Sequence, residues 1–401
     1  MESPAPSPTP LGWPSAPRLA HDLASDEATP EATASPQPDV SAVAVEAPVV
    51  EEAQETARDH DVSRETSGPT PRAEPLPAVD SSAVGRVMRP DAIPEEETPL
   101  ARQLAQDVRR RATLVGKPLP RPAQCRVLTV ANQKGGVGKT TTAVNVAAAM
   151  AQAGLRVLVV DIDPQGNAST ALGIDHHAEV PSIYDVLVDS RPLAEVIQEC
   201  PDVPGLFCAP ATIDLAGAEI ELVSLVARET RMRRALEAYL KEAAAEEDPE
   251  AGFDYVLIDC PPSLGLLTVN AFVAADEVFI PIQCEYYALE GLSQLLKNIE
   301  LIRSHLNPDL FLSTILLTMY DGRTRLSSQV ADDVREHFPD QVLRTTVPRS
   351  VRISEAPSHG QTVLTYDPSS SGALSYLEAA SEIAHRGAAK TSGDTEAAAR
   401  P

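Results

Sequence analysis

Short apolar runs alternate with longer segments of helical periodicity from residue 126 onward. The apolar runs are rich in β-branched residues, which is typical of strands buried on both faces of a sheet. They predict seven strands, at residues 127–131, 157–162, 206–209, 255–258, 277–282, 311–317 and 342–347. Six segments between or after them predict helices, at residues 140–152, 182–199, 216–245, 289–305, 327–337 and 372–384. This alternation predicts an α/β fold, with a mostly parallel sheet and helices on both faces.

The first third of the chain has a different composition. Residues 1–124 hold 20 of the 36 prolines and one of the 15 aromatic residues, Trp13. So few large apolar side chains cannot offset the backbone entropy lost on folding. We therefore predict a disordered, acidic Pro/Ala/Glu-rich extension at 1–98, a short basic helix and linker at 99–124, a single folded domain at 125–386 and a disordered tail at 387–401.

The predicted short helix follows Pro99 and repeats an apolar residue every four positions, at Leu100, Leu104 and Val108. It ends in three consecutive arginines, residues 109–111. These arginines suit a solvated helix end that complements the helix dipole, and they suit a nucleic-acid contact equally well. The sequence favours neither interpretation.

Net charge and cysteine content exclude several classes of protein. The formal net charge is −25, so any DNA binding must come from a local basic patch. No run of 18 apolar residues predicts a membrane span, and the first residues, Met-Glu-Ser-Pro, do not suggest a secretory signal. The five cysteines form no C-x-x-C pair, which argues against a disulfide framework, a zinc site or an iron–sulfur cluster within one chain. We expect a cytoplasmic protein with reduced thiols.

A glycine-rich segment lies between the first predicted strand and the first predicted helix. Residues 131–142 read Ala-Asn-Gln-Lys-Gly-Gly-Val-Gly-Lys-Thr-Thr-Thr, which fits G-x-x-x-x-G-K-[ST] if the first glycine is relaxed. Glycines let backbone N–H groups approach a phosphate, Lys139 supplies a charge to the β and γ oxygens, and the Thr140 hydroxyl is placed to bind Mg²⁺. The segment predicts a P-loop NTPase domain whose nucleotide site is formed by Gly135, Gly136, Val137, Gly138, Lys139, Thr140 and Thr141.

Carboxylates follow two of the predicted strands. Asp161 and Asp163 alternate at the end of the second strand and should face the same side, although Pro-Gln-Gly-Asn after them is also ordinary turn chemistry. Asp259 follows four apolar residues, as in a Walker B strand, and would hold Mg²⁺ through water. Because ligands of open α/β sheets bind at the carboxyl ends of the strands, we expect these residues at the nucleotide site.

Two basic clusters stand out against the acidic background: Arg323 with Arg325, and Arg349 with Arg352. Composition alone favours ordinary surface charge, with ion pairs to Asp321 or Glu355. No aromatic residues are interleaved with these arginines, so sequence readout by base stacking is not expected.

Lys134 is surplus to an ordinary phosphate loop. With this second lysine and the D-x-D-P-Q-G-N run that starts at Asp161, the chain resembles the deviant Walker A ATPases, and within them the ParA/Soj chromosome- and plasmid-partitioning ATPases, over residues 126–386. The resemblance implies that Lys134 reaches the nucleotide of a second subunit. It implies that Asp163 orients the attacking water and that Asp161 supports the metal shell. It also implies that Pro348 lies near the adenine and that the four arginines bind DNA nonspecifically.

The activity implied by this resemblance is ATP hydrolysis with Mg²⁺, in which Lys134, Lys139 and Asp163 are the catalytic residues. An ATP-bound homodimer would bind nucleoid DNA, and a ParB-like centromere-binding protein would stimulate an otherwise slow hydrolysis and release it. A polar or scaffold protein is a possible partner of the extension at 1–98. Two alternatives share the fold: a MinD-like membrane-cycling ATPase, although residues 387–401 show no apolar face, and a metal-cluster carrier that would use Cys260.

Overall fold

The computed structural model of the chain describes residues 99–246 and 252–398. The predicted extension at 1–98, and the scaffold contact expected there, lie outside the described residues. The described strands form one sheet in the order β3-β4-β2-β5-β1-β6-β7-β8, in which every pairing is parallel except that of β3 with β4. Their bounds are β1 Arg126–Val130, β2 Val157–Asp161, β3 Gln198–Glu199, β4 Leu206–Ala209, β5 Tyr255–Asp259, β6 Glu277–Gln283, β7 Phe311–Tyr320 and β8 Val342–Pro348.

Helices cover both faces of this sheet, each over its own apolar core. The helices are α1 Pro99–Leu114, α2 Lys139–Gln152, α3 Asn167–Ala171, α4 Leu215–Ser224, α5 Arg231–Ala245, α6 Leu266–Ala274, α7 Ala288–His305, α8 Arg325–His337, α9 Val351–Glu355, α10 Val363–Tyr366 and α11 Ser371–Ala398. Helices α2, α3, α9, α10 and α11 pack on one face, and α4 to α8 pack on the other. The predicted fold class, a mostly parallel α/β sheet covered on both sides, is confirmed.

Two of the predicted helices are wrong. Residues 182–199 form a π-helical turn at Asp185–Asp189, a 3-10 turn at Leu193–Glu195 and strand β3. Ser190 in the left-handed conformation (φ 62°) and the proline after Arg191 interrupt a continuous helix there. Residues 216–245 form two helices instead of one, because Leu225 is extended and Ala227 has a positive φ of 55°.

The pattern also misplaced or omitted other elements. Helix α6 was not predicted, since most of its side chains are buried and it therefore lacks a polar face. The short α3, α9 and α10 were missed as well. Helix α11 continues to Ala398, beyond the predicted end at residue 384 and into the predicted tail at 387–401.

Helix α1 binds to the body of the protein through two of its three consecutive arginines. The Arg110 guanidinium forms an ion pair with Glu378 of α11, with its Nε 2.6 Å from Oε1. Arg111 donates to the carbonyl oxygens of Pro368 and Ser370. Arg110 and Arg111 are therefore neither a solvated helix end nor free for a nucleic-acid contact, because both guanidiniums bind groups within the chain.

Side chains of α11 cover the outer edge of the sheet at β8. The Glu382 carboxylate accepts hydrogen bonds from the backbone N–H groups of Arg344 and Thr345, at 3.0 and 3.3 Å. Arg386 donates to the carbonyl oxygen of Val342 at 2.9 Å and forms an ion pair with Glu382 at 2.6 Å. This edge therefore has part of its backbone hydrogen-bonding capacity satisfied, which opposes pairing with another strand.

We expect Glu382→Ala to lower the free energy of unfolding by about 1–2 kcal/mol, because two backbone donors and Arg386 lose a charged acceptor. Urea unfolding followed by circular dichroism measures the change. Glu336→Ala, at an exposed position of α8, is the matched control and should change stability by less than about 0.5 kcal/mol. Equal stability of the two variants would contradict the role assigned to Glu382.

Candidate active site

The glycine-rich loop joins β1 to the start of α2. Gly136 and Gly138 have φ values of 73° and 87°, a backbone conformation that side chains disfavour. Apart from the adjacent residues of the chain, no atom of the described residues lies within 4 Å of the position that a Cβ would take at either glycine. The loop is held from below, since the Thr318 hydroxyl of β7 donates to the Val137 carbonyl oxygen at 2.8 Å and Asn132 Nδ2 donates to the Pro281 carbonyl oxygen at 2.8 Å. A rigid, open backbone cradle of this kind is suited to binding phosphate groups.

A cleft of about 610 Å³ opens above this loop. Of the residues predicted for the nucleotide site, it is lined by Gly135, Gly136, Gly138, Lys139, Thr140, Thr141 and Asp163. Val137 is buried beneath the loop. Sequence reasoning missed the other lining residues, which are Val144, Gln165, Asn167, Thr170, Ala171, Pro262, Met319 and Pro357.

Lys139 is the first residue of α2 and is only 7% exposed. Burial lowers the pKa of its ammonium group, and the charges of Asp259 and Asp163 oppose that shift. The side chain is therefore a desolvated cation at the floor of the cleft. A cation at that position is placed to attract the phosphates of a nucleotide.

Asp259 ends β5, in register with Val130 of β1 and Asp161 of β2. Its carboxyl group is fully buried, and burial, followed by the charge of Asp161, raises its pKa well above the usual range. The Thr140 hydroxyl lies near enough to favour the ionised form, yet neither carboxylate oxygen has a hydrogen-bond partner of normal geometry within the described part of the chain. An unpartnered carboxylate beside a hydroxyl offers the oxygen ligands that Mg²⁺ prefers, so these residues fit the predicted metal.

Asp161 is held differently from Asp259. Its Oδ2 accepts hydrogen bonds from the backbone N–H and the hydroxyl of Ser169, at 2.9 and 2.8 Å, and its Oδ1 accepts the N–H of Asp163 at 3.2 Å. Burial raises its pKa to about 6, and these hydrogen bonds oppose the rise. Asp161 therefore anchors the loop after β2 and is not among the described residues that line the cleft.

Asp163 does line the cleft, as predicted from its position two residues beyond Asp161. Its Oδ1 accepts the backbone N–H of Gln165 at 3.0 Å, which fixes the carboxylate. The second oxygen, Oδ2, has no such backbone bond among the described residues. One oxygen therefore positions the side chain, and the other is available to a molecule in the cleft.

Lys134 lies outside the lining of the cleft. Its ammonium nitrogen is 2.7 Å from Glu285 Oε2, in an ion pair whose two side chains are each about half exposed. Gln283 Nε2 also donates to Oε1 of the Glu285 carboxylate. Sequence reasoning singled out Lys134 but not Glu285, because the two are brought together only by the sheet order of β1 and β6.

Pro348 ends β8 opposite Tyr320 and does not belong to the lining that the described residues form. Met319 and Pro357 line the cleft instead, and Met319 adopts a positive φ of 49°. Nothing in the sequence marks Met319, because it reads as the next apolar residue after a predicted strand. His359, two residues after Pro357, stacks on Tyr366 with ring centroids 4.9 Å apart.

The four predicted DNA-binding arginines follow β7 and β8 at the same edge of the sheet. Arg323 and Arg349 lie in loops, Arg325 begins α8 and Arg352 lies in α9. Arg323 binds Asp321 through two hydrogen bonds of 2.9 Å, and Arg352 pairs with Glu355 at 3.1 Å. The pKa of Asp321 is lowered to about 2, chiefly by hydrogen bonds from Arg323 and in smaller part by the charge of Arg349, so the two loops are neighbours.

Arg325 and Arg349 are exposed and have no acidic partner in the described residues. The ion pairs expected for ordinary surface charge thus form at two of the four arginines. Two guanidiniums remain to offer their charge to a ligand.

Two further findings concern the helices and one of the cysteines. None of the helices in the described ranges is both long enough and apolar enough to cross a membrane. Cys260 follows Asp259 and is fully buried, and burial raises the pKa of its thiol well above the usual range. A buried thiol of this kind is an inert apolar side chain.

Comparison with known proteins identifies the relatives of this domain. A family profile described as "AAA domain" matches residues 125–312. The sporulation initiation inhibitor protein Soj of Bacillus subtilis is 53% identical over 262 residues, which are 65% of this chain and 99% of that protein. The chromosome partitioning proteins ParA of Caulobacter vibrioides and Myxococcus xanthus are 51% and 50% identical, over 65% and 66% of this chain and 94% and 90% of theirs.

Solved structures of similar proteins have the same fold. A cobyrinic acid a,c-diamide synthase from Mycobacterium smegmatis, solved with bound ADP and magnesium, is 39% identical with a TM-score of 0.54, over 65% of this chain and 94% of that one. The cell division ATPase MinD of Pyrococcus furiosus, 24% identical over 65% of this chain and 99% of its own, has a TM-score of 0.53 and shares the fold. Half of the residues match in Soj and ParA over nearly their whole lengths, and the chain belongs to the Soj/ParA family of chromosome-partitioning proteins.

Proposed function

We propose that this protein is a Mg²⁺-dependent ATPase that partitions chromosomal or plasmid DNA, acting in the cytoplasm on the nucleoid. The observation that carries the proposal is the phosphate cradle itself, with Lys139 at its floor and the unpartnered Asp259 carboxylate beside Thr140. The magnesium and ADP bound by the Mycobacterium smegmatis relative support the choice of ligands.

Each residue of the cleft has a distinct task in hydrolysis. Backbone N–H groups of the loop and the Lys139 ammonium bind the β and γ phosphates, and Thr140 and Asp259 hold Mg²⁺. When bound, the metal neutralises charge on those phosphates. Asp163 orients the attacking water through Oδ2, because its Oδ1 is held by the N–H of Gln165. No arginine is among the described residues that line the cleft, so hydrolysis is expected to be slow until a partner supplies further stabilisation.

The exposed Lys134 carries the dimer part of the proposal. Its ion pair with Glu285 places the ammonium at the surface, outside its own phosphate cradle. Two subunits that face each other across their nucleotides would let each Lys134 leave Glu285 for the other subunit's phosphates. ATP therefore favours the homodimer, since only the triphosphate offers the charge that replaces Glu285.

DNA binding follows from dimerisation. A single subunit with a net charge of −25 is repelled by DNA and offers few unpaired arginines, among them Arg325 at the start of α8 and Arg349 in the loop after β8. Joining two such sets raises the affinity by avidity. Arg323 and Arg352 can add to the contact only after giving up their carboxylate partners. A ParB-like protein bound at the centromere would then stimulate hydrolysis and end DNA binding.

Co-sedimentation with nonspecific DNA tests the proposal. Wild type is expected to sediment with ATP and not with ADP. Lys134→Ala and Arg349→Glu should each weaken ATP-dependent binding by roughly tenfold or more, because one loses the dimer and the other a phosphate contact. Glu285→Gln, which frees Lys134, should keep ATP-dependent binding. Arg102→Glu on α1 is the charge-matched control.

Two outcomes would contradict the proposal. If DNA affinity is the same with ATP and with ADP, DNA binding is not controlled by the bound nucleotide. DNA affinity that is unchanged in Lys134→Ala would show that this lysine does not join two nucleotide-bound subunits.

A further inference from the structure

An apolar surface follows helix α4 and ends at the loop after β5. We call it the α4 stripe, and it is formed by side chains that are 41–86% exposed: Ile213, Ile220, Val223, Val226 and Leu264. Ile220 and Val223 lie on one face of α4, whereas Ile213 precedes the helix and Val226 follows it. Five large apolar side chains on one surface expose on the order of several hundred Å², which is the size of patch that marks an interaction site on a soluble protein.

One end of the α4 stripe is connected to the loop that carries Asp161 and Asp163. Two residues before Ile213, the backbone N–H of Ala211 donates to the Ser169 hydroxyl at 3.2 Å. That hydroxyl in turn donates to Asp161 at 2.8 Å. Ser169 and Asp161 are both fully buried, so this connection is rigid.

The other end of the stripe belongs to the loop after Asp259. Leu264 lies two residues beyond Pro262, which lines the cleft. The next residue, Gly265, leaves no room for a Cβ because the Glu219 carboxylate of α4 occupies that space. Glu219 Oε1 is buried there without a hydrogen-bond partner in the described chain. Helix α4 and this loop are therefore in close contact at Glu219 and Gly265.

The composition of the α4 stripe indicates what kind of molecule binds to it. Helix α4, Leu-Ala-Gly-Ala-Glu-Ile-Glu-Leu-Val-Ser, contains no lysine or arginine, which excludes it as a contact for DNA or an anionic lipid surface. The outer carboxylate, Glu221, is occupied by the Tyr184 hydroxyl at 3.0 Å. A charge-poor apolar surface is typical of the centre of a protein–protein interface. Each partner contributes ~800 Å² to a stable complex, so a patch of this order would form part of such an interface.

We infer that the α4 stripe packs against a second copy of this chain in the ATP-bound dimer, an inference that rests on the proposed function. The stripe is continuous with the cleft through Pro262 and Leu264, so a subunit that covers the nucleotide also covers the stripe. Its two ends are joined to the loops that carry Asp163 and Asp259. Dimer contact at α4 thereby fixes the positions of both catalytic loops, and nucleotide binding in turn sets the position of α4.

Sedimentation velocity of the full chain with Mg²⁺ and a non-hydrolysable ATP analogue tests this inference. Ile220→Asp and Val223→Asp should each weaken dimerisation at least tenfold, because an unpaired carboxylate would be buried in the interface. Binding of a fluorescent ATP analogue to the monomer should change less than twofold. Leu104→Asp and Val108→Asp place the same charge at equally exposed apolar positions of α1 and should dimerise like wild type. Ile220→Leu should restore dimerisation.

The same experiment separates failure of the proposed function from failure of the inference about the α4 stripe. If wild type stays monomeric with the analogue, the proposed function fails. If wild type dimerises and both aspartate variants dimerise equally well, the inference is overturned. It is also overturned if those variants dimerise normally but lose stimulation by a centromere-binding partner, because the stripe would then be that partner's surface.

Discussion

Asp163→Ala is expected to reduce ATP turnover by roughly 10²–10⁴-fold while leaving ATP binding nearly unchanged. The side chain lines the cleft, yet it makes none of the contacts that hold the phosphate loop. Its loss should therefore remove the group that orients the attacking water and leave the phosphate cradle intact. Since DNA release depends on hydrolysis, the variant should accumulate as an ATP-bound dimer that stays on DNA.

Phosphate release and DNA co-sedimentation with ATP measure the two halves of this expectation. Asp175→Ala removes an exposed carboxylate from the same region of the chain and should behave like wild type in both assays. Turnover within threefold of wild type in Asp163→Ala would exclude the assigned role. Loss of ATP binding would show instead that Asp163 supports the loop.

The strand, the glycine-rich loop and the helix start were predictable because the residues that form them are consecutive in the sequence. A β-branched run, a glycine-rich turn and Lys139-Thr140 can form only a strand, a loop and a helix start in that order, and the structure has them so. Asp163 and Asp259 were found by a second rule, that the carboxyl ends of parallel strands share one edge of the sheet. The register of β2 with β5 places Asp161 opposite Asp259 as that rule requires.

What the sequence missed depends on neighbours that are distant along the chain. Glu285 lies 151 residues from the lysine that it holds, so no local pattern links them. Ser169, eight residues after Asp161, donates both a backbone and a side-chain hydrogen bond to the Asp161 carboxylate, a contact that the sequence pattern did not indicate. The break between α4 and α5 was hidden because Leu225 and Ala227 are good helix formers in isolation.

Asp259→Asn is expected to have opposite effects on stability and on activity. In the absence of ligand the buried carboxyl group lies beside Asp161 with neither oxygen hydrogen-bonded in the described chain, so the amide should stabilise the fold by about 1–3 kcal/mol. With Mg²⁺ and ATP bound, wild type should instead be the more stable of the two proteins. The nucleotide should stabilise wild type strongly and the variant weakly, because an amide lacks the charge that holds the metal.

Chemical unfolding with and without Mg²⁺ and ATP, together with phosphate release, checks both effects. We expect turnover to fall at least about 100-fold in Asp259→Asn. Asp332→Asn, at an exposed position of α8, should alter neither quantity. A variant that is less stable than wild type without ligand would mean that Asp259 supports the fold. A variant that is more stable but inactive would mean that the site keeps an unfavourable buried carboxyl group because metal binding, and not folding, requires it.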